Sequence, residues 1–226
     1  MGGRRRWIGL AFAVALVVGA VLVLVVVRQP PPGKAAAPCE EPPSTGGAVA
    51  LGDSITIGST PPHAEDSWFE QFACTEDPPV EYAHNAGING NTTAQMLARL
   101  DQDVLARDPD TVFVLGGTND LLRGIDRAET LANLREIAER SQESGADVYL
   151  GTIPPQEAVP QAAAPTERLN ADIVALAEEV EVPVLDFHAA LVEADGSYRD
   201  GLFADLVHPS VAGAQVMAQV ARDALD

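Results

Sequence analysis

Apolar and polar positions fall into alternating blocks along the chain, and the block lengths separate strands from helices. Five short apolar runs read as strands: Ala48 to Gly52, Val80 to His84, "TVFVLGG" at 111–117, "ADVYLGTIPP" at 146–155 with its exit loop, and "VPVLDF" at 182–187. Between them lie segments with helical spacing. Glu65 to Phe72 predicts a short helix, and "NTTAQMLARL" opens another with Asn91 or Thr92 as its cap. Leu131, Leu134, Ile137 and Ala138 line one side of a helix from Arg127 to Ser144 that Gly145 stops. Leu169, Ile173, Leu176 and Ala177 do the same over 166–180, and a last helix starts near Pro209 and runs to the chain end.

Apolar strands alternating with helices imply an α/β domain, with a parallel sheet of about five strands covered on both faces. Such sheets put their sites at the carboxyl ends of the strands. That rule selects Asp53-Ser54, Asn85–Gly87, Gly117–Asp120, Thr152–Pro155 and Asp186–His188. No internal repeat, phosphate-binding glycine loop or dinucleotide fingerprint is present.

The amino-terminal pattern differs. Residues 1–6 form a basic flank with three consecutive arginines, and Trp7 to Val27 carries no charge. As a helix that apolar run is about 31 Å long, enough to cross a bilayer. The cationic flank stays in the cytoplasm, so the rest of the chain is expected outside it as a single-pass, membrane-anchored domain. A signal segment cleaved to give a secreted protein is the alternative; its apolar core is normally shorter and its cleavage site closer. Lipidation at Cys39 lacks an apolar segment directly before the cysteine. Residues 28–46 are Pro-, Ala- and Gly-rich and read as a linker, leaving 47–226 as the folded domain.

Charge and cysteine content refine this. The chain has 33 acidic residues against 14 Lys and Arg. Five of those cations precede residue 35, and every acid follows residue 39, so the exported part is strongly acidic. Such a surface repels phosphate backbones and argues against nucleic acid as a partner. Export makes a disulfide between Cys39 and Cys74 plausible, with two free thiols the other reading.

Three strand ends offer groups suited to acyl transfer. Ser54 follows the first strand, Gly87 the second and Asn119 the third. The N–H groups of Ser54 and Gly87 and the Asn119 side-chain amide together form a candidate oxyanion hole. A serine nucleophile needs a base, and four histidines are present. Only "DLVHP" pairs one with a carboxylate three residues earlier just ahead of a helix: Asp205 can orient His208 toward Ser54. Asp53 and Asp120 read as supports that hold the serine and asparagine loops. Asp186 and His188 read as structural, His84 as packed against the sheet, and His63, Asp66 and Trp68 as candidates for the cleft mouth.

The blocks "GDSI" at 52–55, "NAGING" at 85–90, "GGTND" at 116–120 and "DLVHP" at 205–209 together resemble the SGNH (GDSL-type) serine hydrolase family over roughly residues 47–222. The resemblance implies a three-layer α/β/α sandwich with a flavodoxin-like sheet and no metal or other cofactor. It assigns Ser54 as nucleophile and oxyanion donor, Gly87 and Asn119 as the other donors, His208 as base and Asp205 as its orienting carboxylate. Its substrates are esters of small or lipid acyl groups, thioesters or acetylated carbohydrates. The fold can work as a monomer. A noncatalytic glycan- or lipid-binding module is the reading from another class, and it predicts loss of Ser54 or His208.

Overall fold

A computed structural model describes Cys39 and residues 45–58, 67–156, 163–194 and 196–225. These residues belong to one compact unit. The expected anchor at 7–27, most of the linker, His63 and Asp66 lie outside the described residues. Among the described residues no helix is long and apolar enough to cross a membrane.

Five parallel strands form one sheet: β1 (Ala48–Gly52), β2 (Tyr82–Gly87), β3 (Thr111–Leu115), β4 (Asp147–Gly151) and β5 (Val184–Leu185). Their order is β2-β1-β3-β4-β5, the flavodoxin-like arrangement. The winding direction reverses between β1 and β3, and a crevice opens there at the carboxyl ends. Two strands differ from expectation. The second begins at Tyr82, after the Pro78-Pro79 pair, and runs on to Gly87, because its register pairs Gly87 with Gly52. The fifth is only two residues long: Pro183 has no N–H for the ladder, and Asp186 already caps the next helix.

The helices are α1 (Ser54–Ile57), α2 (Trp68–Ala73), α3 (Thr93–Ala98), α4 (Leu100–Asp103), α5 (Thr118–Arg123), α6 (Arg127–Glu143), α7 (Ala163–Glu179), α8 (Phe187–Leu191) and α9 (Val211–Asp223). The helix expected from Glu65 starts at Trp68, because the Ser67 hydroxyl caps it. Thr92, rather than Asn91, caps α3 through a capping box with Gln95. α7 begins before residue 166, since Pro165 fits a first turn that needs no N–H.

α2, α8 and α9 pack together in one group, while α6 packs against α3, α5 and α7. Phe113 of β3 centres an aromatic core under α2, with ring centroids 6.0 Å from Trp68 and Phe69 and 5.3 Å from Phe72. A disulfide joins Cys39 to Cys74 just beyond α2, with Cα atoms 4.7 Å apart.

Candidate active site

Gly52 ends β1, and the chain turns at once into α1. A Cβ at Gly52 would stand 2.1 Å from Thr56 Oγ1 and 2.9 Å from the Leu115 carbonyl, so only glycine permits so tight a turn. Asp53 is fully buried and caps α1, its Oδ1 accepting the Ile55 N–H at 2.9 Å. Ser54 is therefore the first helical residue, half-buried, with its N–H at the unsatisfied end of the turn.

The residue that meets Ser54 comes from far along the chain. His208 Nε2 lies 3.0 Å from Ser54 Oγ, and His208 Nδ1 lies 2.8 Å from Asp205 Oδ2. Asp205 also accepts the Val207 and His208 N–H groups on Oδ1, each at 2.7 Å, which fixes the histidine backbone as well as its ring. Slight burial pushes the Asp205 carboxyl up, but these hydrogen bonds outweigh it and hold the group below the usual carboxylate range. Asp205 thus stays ionised, and Nδ1 carries the proton while Nε2 is the acceptor facing the serine.

The loop bearing this pair is braced by a residue the sequence did not flag. Tyr198 stacks on Phe203 at 4.0 Å and donates its hydroxyl hydrogen between the Pro155 and Leu206 carbonyls, each 3.0 Å away. Nothing in the local pattern marks Tyr198, because its partners are backbone carbonyls far apart in the chain.

Asn119 heads α5 at the exit of β3. Its Nδ2 donates to Asp53 Oδ2 and to the Asn91 carbonyl, both at 3.0 Å. Beside it, Asp120 is buried and accepts from Thr93 N–H at 2.9 Å, from Thr93 Oγ1 at 2.5 Å and from Thr130 Oγ1 at 3.3 Å. Asp120 therefore ties α3, α5 and α6 together and does not face the cleft. Burial raises the Asp53 carboxyl to about 6, against the opposing pull of the Ile55 N–H, His208 and Asn119.

Gly87 does not occupy the place expected for it. Its N–H donates to Asn85 Oδ1 at 2.9 Å, and a Cβ there would meet Ile57 N at 2.4 Å. It closes the sheet against α1, its N–H turned to the Asn85 side chain, and it does not line the cleft beside Ser54. Of the two glycines in "NAGING", the one that borders the cleft is Gly90, at φ +74°. Among the described residues its N–H makes no hydrogen bond within the protein. "NAGING" contains both glycines, and only the strand register decides between them.

Asp186 and His188 lie away from these groups. Asp186 Oδ1 caps α8 and accepts from Thr152 Oγ1 at 3.0 Å, and burial lowers the half-buried His188. Trp68, expected at the cleft mouth, is instead core, 1% exposed. His84 is half-buried on the edge strand, and burial followed by the nearby Arg107 lowers its affinity for protons.

Ser54, Asn119, Gly90, Asp205 and His208 all border one open cleft of about 780 Å³, with apolar walls from Ile55, Leu122, Val207 and Val211. Among the described residues no group of His, Cys, Asp and Glu is placed to hold a metal ion.

Residues 50–216 match the model of the GDSL-like Lipase/Acylhydrolase family. The chain belongs to that family. Within this GDSL-like family it is 34% identical to an arylesterase of Vibrio mimicus over 107 residues, which span 45% of the chain but only 52% of that relative. It is 31% identical to an acetylxylan esterase of Geobacillus stearothermophilus over 60% of the chain and 68% of that protein. The crystal structure of a lipolytic G-D-S-L family member from Veillonella parvula superposes with a TM-score of 0.66 at 27% identity, covering 78% of this chain and 96% of that one.

Proposed function

We propose that this GDSL-like chain hydrolyses carboxylic esters through an acyl-enzyme on Ser54, outside the cytoplasm and tethered by residues 7–27. The observation that carries the reading is the relay from Asp205 Oδ2 through His208 to Ser54 Oγ, closed at 2.8 and 3.0 Å. His208 takes the hydroxyl proton as Ser54 Oγ attacks the ester carbonyl, and Asp205 stabilises the imidazolium. The carbonyl oxygen becomes an oxyanion facing the Ser54 and Gly90 N–H groups and the Asn119 amide, which shares with it one of the two hydrogens it gives to Asp53 and the Asn91 carbonyl. His208 then protonates the leaving alcohol. In the second half, water gives its proton to the same nitrogen, attacks the acyl carbon and frees the acid.

The cleft supports an acyl group that is short or that lies along an open surface, since it is open to solvent and has apolar walls. Its relatives carry both an arylesterase and an acetylxylan esterase name, so small acyl groups on aromatic alcohols or on glycans fit this reading. A p-nitrophenyl ester series from acetate to palmitate tests it with the parent and its Ser54→Ala form. Hydrolysis that disappears in Ser54→Ala supports the acyl-enzyme; a preference for acetate points to deacetylation. No hydrolysis of any ester in the series, or full activity in Ser54→Ala, sinks it.

A further inference from the structure

Arg99 follows directly on α3, and its side chain is 14% exposed, although the domain around it is poor in cations. Each part of its guanidinium has a partner. Nη2 donates to the Gly52 carbonyl at 2.9 Å, Nε to Asn91 Oδ1 at 2.8 Å, and Nη1 to Asp103 Oδ2 at 2.9 Å. Asp103 neutralises the charge. The other two contacts lie behind the active site, and each belongs to a different loop.

Those contacts close a ring. Gly52 precedes Asp53; Asp53 Oδ2 accepts from Asn119; Asn119 also donates to the Asn91 carbonyl; and Asn91 Oδ1 accepts from Arg99, which returns to Gly52. The groups proposed to meet the oxyanion sit on the three loops this ring joins: Ser54 after β1, Gly90 before Asn91, and Asn119 after β3. Their separations are fixed by no single helix or strand. A planar guanidinium can hold two acceptors at a set angle, which an ammonium cannot do from the same position.

We infer that Arg99 is a positioning residue for ester hydrolysis, clamping the Gly52 turn to the Asn91 loop so that the oxyanion donors stand at working distance from Ser54. The kinetic part of this inference rests on the hydrolysis proposed above. Displacing donors by about 1 Å costs on the order of 100-fold in rate. Arg99→Lys keeps the charge and removes the two-point clamp. It lowers kcat about 10- to 100-fold, with KM within about twofold, because the donors act on the transition state more than on bound substrate.

Two measurements on the full chain test it. The first is kcat for Arg99→Lys, Asn119→Ala and the double variant. If Arg99 works through the ring, Arg99→Lys adds less than about threefold once Asn119 is gone. Full multiplication of the two effects, or an unchanged kcat in Arg99→Lys, overturns the inference. The second needs no turnover: the Asn119 side-chain amide signals in an NMR spectrum shift and exchange faster in Arg99→Lys, and unchanged signals overturn the inference whatever the substrate. A parent that hydrolyses no ester would remove the hydrolysis reading alone. Asn91→Ala cuts the same link from the other side and stands in if Arg99→Lys does not fold.

Discussion

Asp53→Asn separates two jobs of one carboxylate, and the structure gives the size of the effect. Asp53 is buried, and its pKa rises from 3.8 to about 6 on folding. An acid with a raised native pKa holds its proton more tightly in the folded than in the unfolded state. Its contribution to stability is therefore highest below pH 4 and declines as the pH climbs toward 6. A shift of about two units corresponds to roughly 3 kcal/mol lost by pH 7. Asparagine cannot ionise, so the variant escapes that loss. It keeps an oxygen for the Ile55 N–H but turns an NH2 toward the Asn119 Nδ2, a mismatch of about 1–3 kcal/mol. Net stability at pH 7 thus changes little or improves, and at pH 4 the variant is the weaker protein. The quantity to measure is the difference between the two pH values, since the mismatch largely cancels in it. Urea unfolding of both proteins at pH 4 and pH 7, followed by tryptophan fluorescence, supplies it. The variant should gain roughly 2.4 kcal/mol relative to the parent between those pH values. A variant-minus-parent difference that is the same at both, within about 0.5 kcal/mol, would refute the buried, proton-binding Asp53. Catalysis moves the other way: with its acceptor gone, Asn119 loses its bearing, and kcat falls at every pH.

Asp205→Asn should lower kcat about 10³- to 10⁴-fold in a p-nitrophenyl acetate assay, because the amide favours the wrong imidazole tautomer; a loss under tenfold would mean that the Nδ1 contact does not orient the ring. Gly87→Ala should destabilise the fold by about 3 kcal/mol or more, since its Cβ meets Ile57 backbone at 2.4 Å, and urea unfolding measures this. A Gly87→Ala protein as stable as the parent would refute the close packing of Gly87 on Ile57.

Much of the fold was legible because its signals are local. Each strand is an apolar run, and the long helices carry an unbroken stripe, as in Leu134, Ile137 and Ala138 of α6. The Ser54, Asp205 and His208 assignments rested on blocks of adjacent residues, and the structure brings these three into one relay. What stayed hidden depends on register and on long-range contact. Gly87 and Gly90 are equally good turn glycines until the pairing of β2 with β1 spends one on the sheet. Arg99 and Tyr198 look like ordinary surface residues, since each has a decisive partner that is a backbone carbonyl, 47 and 43 residues away. Trp68 was misplaced for a related reason: a short helix shows too few positions to reveal which side faces inward.

His208 and Asp205 are three residues apart, and Asp205 fixes both the ring and the backbone of His208. This pair sits on a surface loop braced by Tyr198, 154 residues from the serine it meets. Changes between α8 and Ala204 that keep the Tyr198–Phe203 brace can therefore accumulate over evolutionary time without disturbing this pair. The proposed oxyanion side has no such freedom, because its geometry is shared among three loops and any change in one must be answered in the others. Diversification of substrate in this lineage should accordingly be concentrated on the histidine side of the cleft.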